Sequence, residues 1–399
     1  MIIDLVDKAV VAFSGGLDTT VVVKYLQEKY NLDVITVTID VGQNENYEKI
    51  KAKAISLGVK NHYTINCKEE FVKNFIFPSI KANSLYQKKY CLATALARPL
   101  IANKLTNIAK KENANFVAHG CSGKGNDQVR FDIALQSESS LSIIAPIRDL
   151  NLNREKEIDF AKKHGVEIEK IAKKFSIDQN LWGRSIEGGS LEDPYNEPGD
   201  EVFSWVTKCF PDRPTYIEIE FENGIPVSVN NQFRNEPIQL IEYINEKAGS
   251  HGIGIVDHIE DRIIGMKSRE IYENPAAVCL IDAHFDLEKM VQTSHEIRFK
   301  SAVDEEWSRL VYSGLWNDPL RKDLDMFINS TQRNVTGLVK IKMYKGNLRV
   351  VGRKCENSLY NKDMITYGDN SVFDQTMSLG FIKLWGMQTT EANKLQKNV

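Results

Sequence analysis

The chain has 399 residues, of which 42% are hydrophobic and 26% charged, with a formal net charge of −3. These fractions belong to a soluble globular protein, and the length calls for two or three cores rather than one. The slightly acidic balance excludes a general attraction to nucleic acid or to an anionic membrane, and no stretch approaches the length of a membrane span.

Residues 1–13 carry Asp4, Asp7 and Lys8 and contain no signal-peptide core, so a cytoplasmic location is expected. The run Ala9-Val10-Val11-Ala12-Phe13 is short, apolar and partly β-branched, which predicts a strand buried on both faces of a parallel sheet. Residues 19–30 carry Val22, Leu26 and Tyr30 at four-residue spacing and predict a helix. Residues 34–39 predict a second strand. The intervening Ser14-Gly15-Gly16-Leu17-Asp18-Thr19-Thr20 therefore lies at the carboxyl end of a strand, where open α/β sheets bind ligands. Two glycines allow a sharp turn and close backbone approach, the helix behind presents unpaired N–H groups, and Ser14 and Thr19 add hydroxyls. The loop is an anion cradle, although it is neither a Walker A nor a GxGxxG loop.

Residues 40–43 form a glycine-containing loop, 46–57 a helix stopped by Gly58, and 59–65 a third strand. Residues 92–111 predict a long helix interrupted at Pro99. Residues 115–119, 127–136 and 142–145 continue as strand, helix and strand. This alternation predicts a doubly wound parallel α/β sheet. Between the fourth strand and its helix, residues 119–130 contain Gly120, Gly123, Gly125 and Lys124 among small polar residues. They repeat the design of the first loop at the same edge of the sheet.

After Leu150 the character changes. Residues 154–164 predict a charged helix. Residues 176–198 are rich in Gly, Ser, Asn and Pro with little periodicity, which points to a functional loop. A strand at 215–221 with Glu222-Asn223-Gly224 is a hairpin signal, 237–247 a helix, 252–272 irregular, and 335–351 a second hairpin around Lys345-Gly346-Asn347. The mixture predicts a second, α+β domain. Residues 373–399 end in a polar tail and carry Phe381 and Trp385, aromatics that could dock on another subunit. The expected division is 1–165, 166–365 and 366–399. The six cysteines are scattered, and none lies beside a histidine at zinc spacing, so reduced thiols and no protein-held metal are expected.

The first loop resembles the pyrophosphate-binding Ser-Gly-Gly-x-Asp-Ser/Thr loop of the N-type ATP pyrophosphatases. Together with residues 89–99 (Lys-Tyr-Cys-Leu-Ala-Thr-Ala-Leu-Ala-Arg-Pro), 119–130, 176–189, Gly265-Met266-Lys267-Ser268-Arg269 and the ending Gly380-Phe381-Ile382-Lys383-Leu384-Trp385-Gly386, it resembles argininosuccinate synthase, in order over nearly the whole chain. The resemblance implies a ligase that condenses citrulline and aspartate in the penultimate step of arginine biosynthesis. The citrulline ureido oxygen attacks the α-phosphorus of ATP and pyrophosphate leaves. The aspartate amine then displaces AMP from the citrullyl-adenylate. Magnesium would arrive with the nucleotide.

By the same resemblance, Ala12, Phe13, Ser14, Gly15, Gly16, Leu17, Asp18, Thr19, Thr20, Ile39 and Gly120 bind ATP. Tyr90, Ala95, Asn126, Arg130, Ser176, Ser185, Glu260 and Tyr272 match citrulline positions, and Ser122, Asn126 and Asp127 match aspartate positions. Asp18, Asp127 and Arg130 are implied as catalytic. Ala95 stands where many members have a serine, Ser122 where threonine is common, and Ala93 where glycine is common. The resemblance also implies a homotetramer glued by the C-terminal segment. Within the superfamily, GMP and asparagine synthetases would need a glutaminase block, and tRNA thiolation a basic surface; neither is visible. A non-catalytic nucleotide sensor on the same fold is the rival from another class.

Overall fold

The computed structural model describes residues 7–165, 174–207, 209–368 and 370–397. The expected boundary at 165/166 adjoins residues outside that set. Two compact units are present, one running to Asn357 and one from Ser358.

The first unit begins with β1 (Lys8–Ala12), α1 (Leu17–Lys29), β2 (Asp33–Asp40), α2 (Tyr47–Ser56) and β3 (Asn61–Asn66). A bent crossing follows, made of α3 (Lys68–Phe71), a π-helical turn (Val72–Ile76) and α4 (Phe77–Lys81). Then come α5 (Ala93–Glu112), β4 (Phe116–Ala118), α6 (Asp127–Glu138), β5 (Ser142–Ile144), α7 (Pro146–Asp149) and α8 (Arg154–Lys163). The five strands form one parallel sheet in the order β3-β2-β1-β4-β5. β1 is central, with Val10 opposite Ile35 on one side and Val117 on the other. Ala9, Val10 and Val11 are fully buried, as their apolar run predicts. The strand order reverses between β1 and β4. The loops after these two strands therefore flank the crevice where such sheets bind ligands.

The expected interruption at Pro99 does not occur: α5 is one helix of 20 residues with Pro99 inside it. An interior proline costs about 3 kcal/mol through its missing N–H and its ring. Leu96, Leu100 and Leu105 on the same helix are essentially fully buried, and each contributes about 1.5–3 kcal/mol, so packing outweighs the proline.

The chain continues with β6 (Ser176–Asn180), β7 (Gly183–Glu187), β8 (Thr215–Glu222), β9 (Ile225–Val229), α9 (Pro237–Ser250), β10 (Ile255–Asp261) and β11 (Lys267–Glu273). Three helices follow, α10 (Pro275–Val291), α11 (Ser294–Tyr312) and α12 (Pro319–Thr331), and then β12 (Gly337–Tyr344) and β13 (Asn347–Lys354). Two antiparallel sheets result, ordered β10-β11-β7-β6 and β13-β12-β8-β9. Both hairpin signals are met by two-residue turns with positive φ at Asn223 and Gly224 and at Lys345 and Gly346.

Two expectations fail here. The stretch 176–198 contains the hairpin β6–β7, and the nominally irregular 252–272 contains most of the hairpin β10–β11. Their sequences, Ser-Ile-Asp-Gln-Asn or Lys-Ser-Arg-Glu-Ile-Tyr-Glu, place polar residues where a core-facing strand would carry apolar ones. The alternation that betrays a strand is therefore absent.

In the second unit, α13 (Lys362–Ile365), α14 (Met377–Trp385) and α15 (Met387–Lys397) follow one another. Leu379, Phe381, Ile382, Leu384 and Trp385 of α14 are all exposed. Among the described residues no helix is long and apolar enough to cross a membrane.

Candidate active site

The first loop turns through Gly15, whose φ of +74° suits glycine. Ser14 Oγ lies 3.3 Å from Thr19 Oγ1 and accepts the Gly16 N–H at 3.3 Å. Lys53 of α2 donates to the Gly15 carbonyl at 2.6 Å, which brings a cation to the loop. Thr38 secures the strand end by donating to the Phe13 carbonyl at 2.6 Å. The Ile39 carbonyl accepts the Gln43 side-chain amide at 2.7 Å. Asp18 opens α1, half-exposed, with Arg154 Nη1 at 3.5 Å. Glu157 is buried on α8, and burial, then a hydrogen bond with the Asp18 carboxylate and its charge, push its carboxyl up to about 8.

The second loop rests against the first. A Cβ on Gly120 would stand 3.3 Å from the Asp18 carbonyl carbon and from the Thr19 nitrogen. His119, buried at the end of β4, braces the loop's first turn. Its Nδ1 accepts the Cys121 N–H at 3.3 Å, so Nε2 carries the proton facing Asp132 at 2.8 Å.

At the start of α6, Asp127 is gripped by two arginines. Arg98 of α5 donates from Nε (2.9 Å) and Nη2 (2.7 Å) to Oδ2, and Arg130 donates from Nη1 to Oδ1 at 2.9 Å. Arg98 also reaches Asp178 Oδ2 on β6 at 2.8 Å, where Thr94 Oγ1 donates at 2.8 Å. Burial alone would raise the Asp127 carboxyl, but Arg98 and Arg130 outweigh it and hold the group below the usual carboxylate range. Asp127 is therefore a fixed anion rather than a base in waiting.

The third component is the polar face of the β10-β11-β7-β6 sheet. Tyr272 pairs with Ser185, and Ser185 with Asp178, so the three share one face. Glu260 is buried on β10; Tyr272 Oη donates to its Oε2 at 2.6 Å and Tyr312 Oη to its Oε1 at 2.6 Å. Burial first, then the Glu260 charge, holds both phenols above their ordinary value. Tyr90, also buried, stacks on Tyr272 with centroids 4.3 Å apart, and its hydroxyl accepts the Thr94 N–H at 2.9 Å. Asn126 joins the group by donating from Nδ2 to Tyr312 Oη at 2.8 Å.

Tyr90, Asn126, Asp127, Arg130, Glu260 and Tyr272 thus form one connected set, although they come from positions as far apart as 90 and 272. Ser185 lies on the same sheet face, while Ser122 and Ser176 are exposed on loop two and on the outer strand. Ala95 is buried on α5 and presents only a methyl group. Lys53, Arg98, Asp178 and Tyr312 were not identified from the sequence as site residues. Arg98 and Asp178 lie inside strings that were singled out; no local pattern marks Lys53 or Tyr312. The six cysteines are all unpaired. Burial pushes the Cys91 thiol up to about 12 and the Cys121 thiol higher, which argues against a thiolate nucleophile.

Residues 8–167 match the family model described as the arginosuccinate synthase N-terminal HUP domain, and residues 175–392 match the C-terminal domain model of the same family. The chain is 52% identical to argininosuccinate synthase of Pyrococcus furiosus over 396 residues, covering 98% of this chain and 96% of the relative. It is 50% identical to that of Methanothermobacter thermautotrophicus over 386 residues (96% of each) and 51% identical to that of Methanocaldococcus jannaschii over 383 residues (95% and 96%). With both models matched in order and half the residues shared along almost the whole length, the chain belongs to the argininosuccinate synthase family.

Proposed function

We propose the following division of labour for the family's reaction, the ATP-dependent ligation of citrulline and aspartate in arginine biosynthesis. ATP lies on the first loop, its pyrophosphate end over Ser14 to Thr20 and the α1 N-terminus, with Ile39 and Gly120 flanking it. Magnesium enters with the nucleotide as part of the substrate. Citrulline lies against Tyr90, Asn126, Arg130, Glu260 and Tyr272, with Ser185 on the inner strand β7, Ser176 on the edge strand β6 and Ala95 contributing only a wall. Aspartate lies against Ser122, Asn126 and Asp127.

The observation that carries this reading is the close approach of Gly120 to Asp18 and Thr19, whose backbone a Cβ there would meet at 3.3 Å; it sets the phosphate loop beside the loop bearing Asn126, Asp127 and Arg130. The two reacting partners of the first step, a phosphoryl group and an amino acid, then meet at one sheet edge. The chemistry needs no protein nucleophile. It needs three substrates held in register and charge stabilised as pyrophosphate leaves. The anionic Asp127, fixed by Arg98 and Arg130, orients the aspartate amine.

Segment 1–165 acts as the nucleotide-binding part, 166–365 as the synthetase part that completes the amino-acid site with Ser176, Ser185, Glu260 and Tyr272, and 366–399 holds a homotetramer through the exposed apolar residues of α14. A cytoplasmic setting fits the unpaired thiols. Pyrophosphate release measured with citrulline and aspartate omitted in turn tests the reaction. Release should require citrulline, and argininosuccinate should form only when aspartate is added. Release with neither amino acid, or with none of the combinations, would reject the assignment.

A further inference from the structure

The residues facing the amino-acid substrates are held by one from far along the chain. Tyr312 is the last residue of α11 and is 1% exposed. Its hydroxyl lies between Asn126 and Glu260, and the direction of every hydrogen bond there is fixed. The Ile263 N–H donates to Asn126 Oδ1 at 2.9 Å, so the amide nitrogen is the atom turned toward Tyr312. That nitrogen donates to Tyr312 Oη at 2.8 Å, which leaves the phenol's own proton for Glu260 Oε1 at 2.6 Å. The backbone of Tyr312 acts as well, since its carbonyl accepts Arg130 Nε at 3.0 Å.

The ring is locked in place. It stacks on Tyr86 with centroids 3.5 Å apart, and the Arg130 guanidinium lies 4.9 Å from its centre. Two residues on, Gly314 adopts φ +76°, and a Cβ there would come within 2.9 Å of Arg130 Cα. The end of α11 is thus pressed against α6 with no room for a side chain between them.

We propose that Tyr312 is a positioning residue for citrulline: its hydroxyl orients Asn126 and Glu260, and its carbonyl orients Arg130. The proposal rests on the reading of those three groups as citrulline contacts. The bridge does not use them up. Asn126 keeps a second N–H, and each Glu260 oxygen keeps a lone pair for the substrate.

Tyr312→Phe removes one oxygen and keeps the stacked ring. In the full-length enzyme the citrulline KM is expected to rise about tenfold or more, with the ATP KM changed by less than about twofold. Added to Glu260→Gln, the same change is expected to cause a smaller further rise than it causes alone, because one of the two hydrogen bonds of the Tyr312 hydroxyl ends on that side chain. An unchanged citrulline KM in Tyr312→Phe, or losses that multiply in the double variant, would overturn the proposal while leaving the site reading intact. An unchanged KM in Glu260→Gln alone would overturn the site reading and the proposal with it. If Tyr312→Phe folds poorly, 3-fluorotyrosine at position 312 supplies a second readout. Its fluorine resonance should move when citrulline is added and stay put with ATP alone; no movement with citrulline counts against the proposal.

Discussion

Arg98 and Asp127 are joined twice, through Nε at 2.9 Å and Nη2 at 2.7 Å, both ending on one carboxylate oxygen. The same guanidinium ties α5 to β6 through Asp178. Arg98→Ala would leave Asp178 without this cation and Asp127 with Arg130 alone. We expect a lower melting temperature together with a fall in kcat/KM for aspartate of about a hundredfold. Arg98→Lys keeps the charge and loses the fork, so it should fall between the two. Wild-type aspartate kinetics in Arg98→Ala would show that the pair has no part in the site.

Asp18→Ala and Arg130→Ala should diverge in what they damage. Asp18 is half-exposed on the phosphate loop, so its loss should abolish most turnover and leave the melting curve in place. Arg130 is buried and holds the Tyr312 carbonyl as well as Asp127, so its loss should cost both activity and stability. Steady-state rates and thermal melts on the same preparations check this. Undiminished turnover in either variant would remove that residue from the catalytic set.

Gly120→Val tests the join between the two loops. The first added carbon already meets Asp18 and Thr19 at 3.3 Å, and two further methyls must displace them. Overpacking of this kind costs about 1–3 kcal/mol. The ATP KM is expected to rise more than the citrulline KM, and equal effects on both would argue against Gly120 as a nucleotide contact.

Glu157 gives a pH dependence whose sign can be worked out. Its carboxyl is raised to about 8 in the folded chain, from about 4.3 when unfolded. Between those values the folded state binds the extra proton, so this group's contribution falls as pH rises through the window. Glu157→Gln should therefore melt higher than the parent at pH 8.5 and nearly level with it at pH 5. Equal melting differences at the two pH values would show that Glu157 is not held protonated beside Asp18.

Truncation before Ser371 removes α14 and α15. If α14 is the glue between subunits, light scattering should report a smaller assembly. An assembly of unchanged order would mean that the contacts lie elsewhere.

The parallel sheet was legible because its central strands β1 and β2 are apolar on both faces and α1 repeats at four-residue spacing. Val10 and Val22 announce their burial through their neighbours in sequence. The phosphate loop was legible for a related reason: its glycines and hydroxyls act within seven consecutive residues. The sheet bearing Glu260 and Tyr272 was hidden because strands that carry Ser176, Asp178, Ser185 and Glu270 on one face lose the apolar alternation of a core strand. Lys53, Arg98 and Tyr312 were illegible for a third reason. Each acts on a group more than 25 residues away, and nothing local distinguishes a lysine that meets a glycine carbonyl from one in solvent.

The bond from Arg130 to the Tyr312 carbonyl spans 182 positions of chain. The phosphate loop, by contrast, is framed by β1, β2 and β4, all complete by residue 118. Contacts of long sequence separation close late, because the entropy of a large loop must be lost first. A growing or refolding chain should therefore acquire its nucleotide half before its amino-acid half. Pulse-labelled hydrogen exchange would then find the amides of β1 protected early and the amide of Ile263 protected only once α11 has docked.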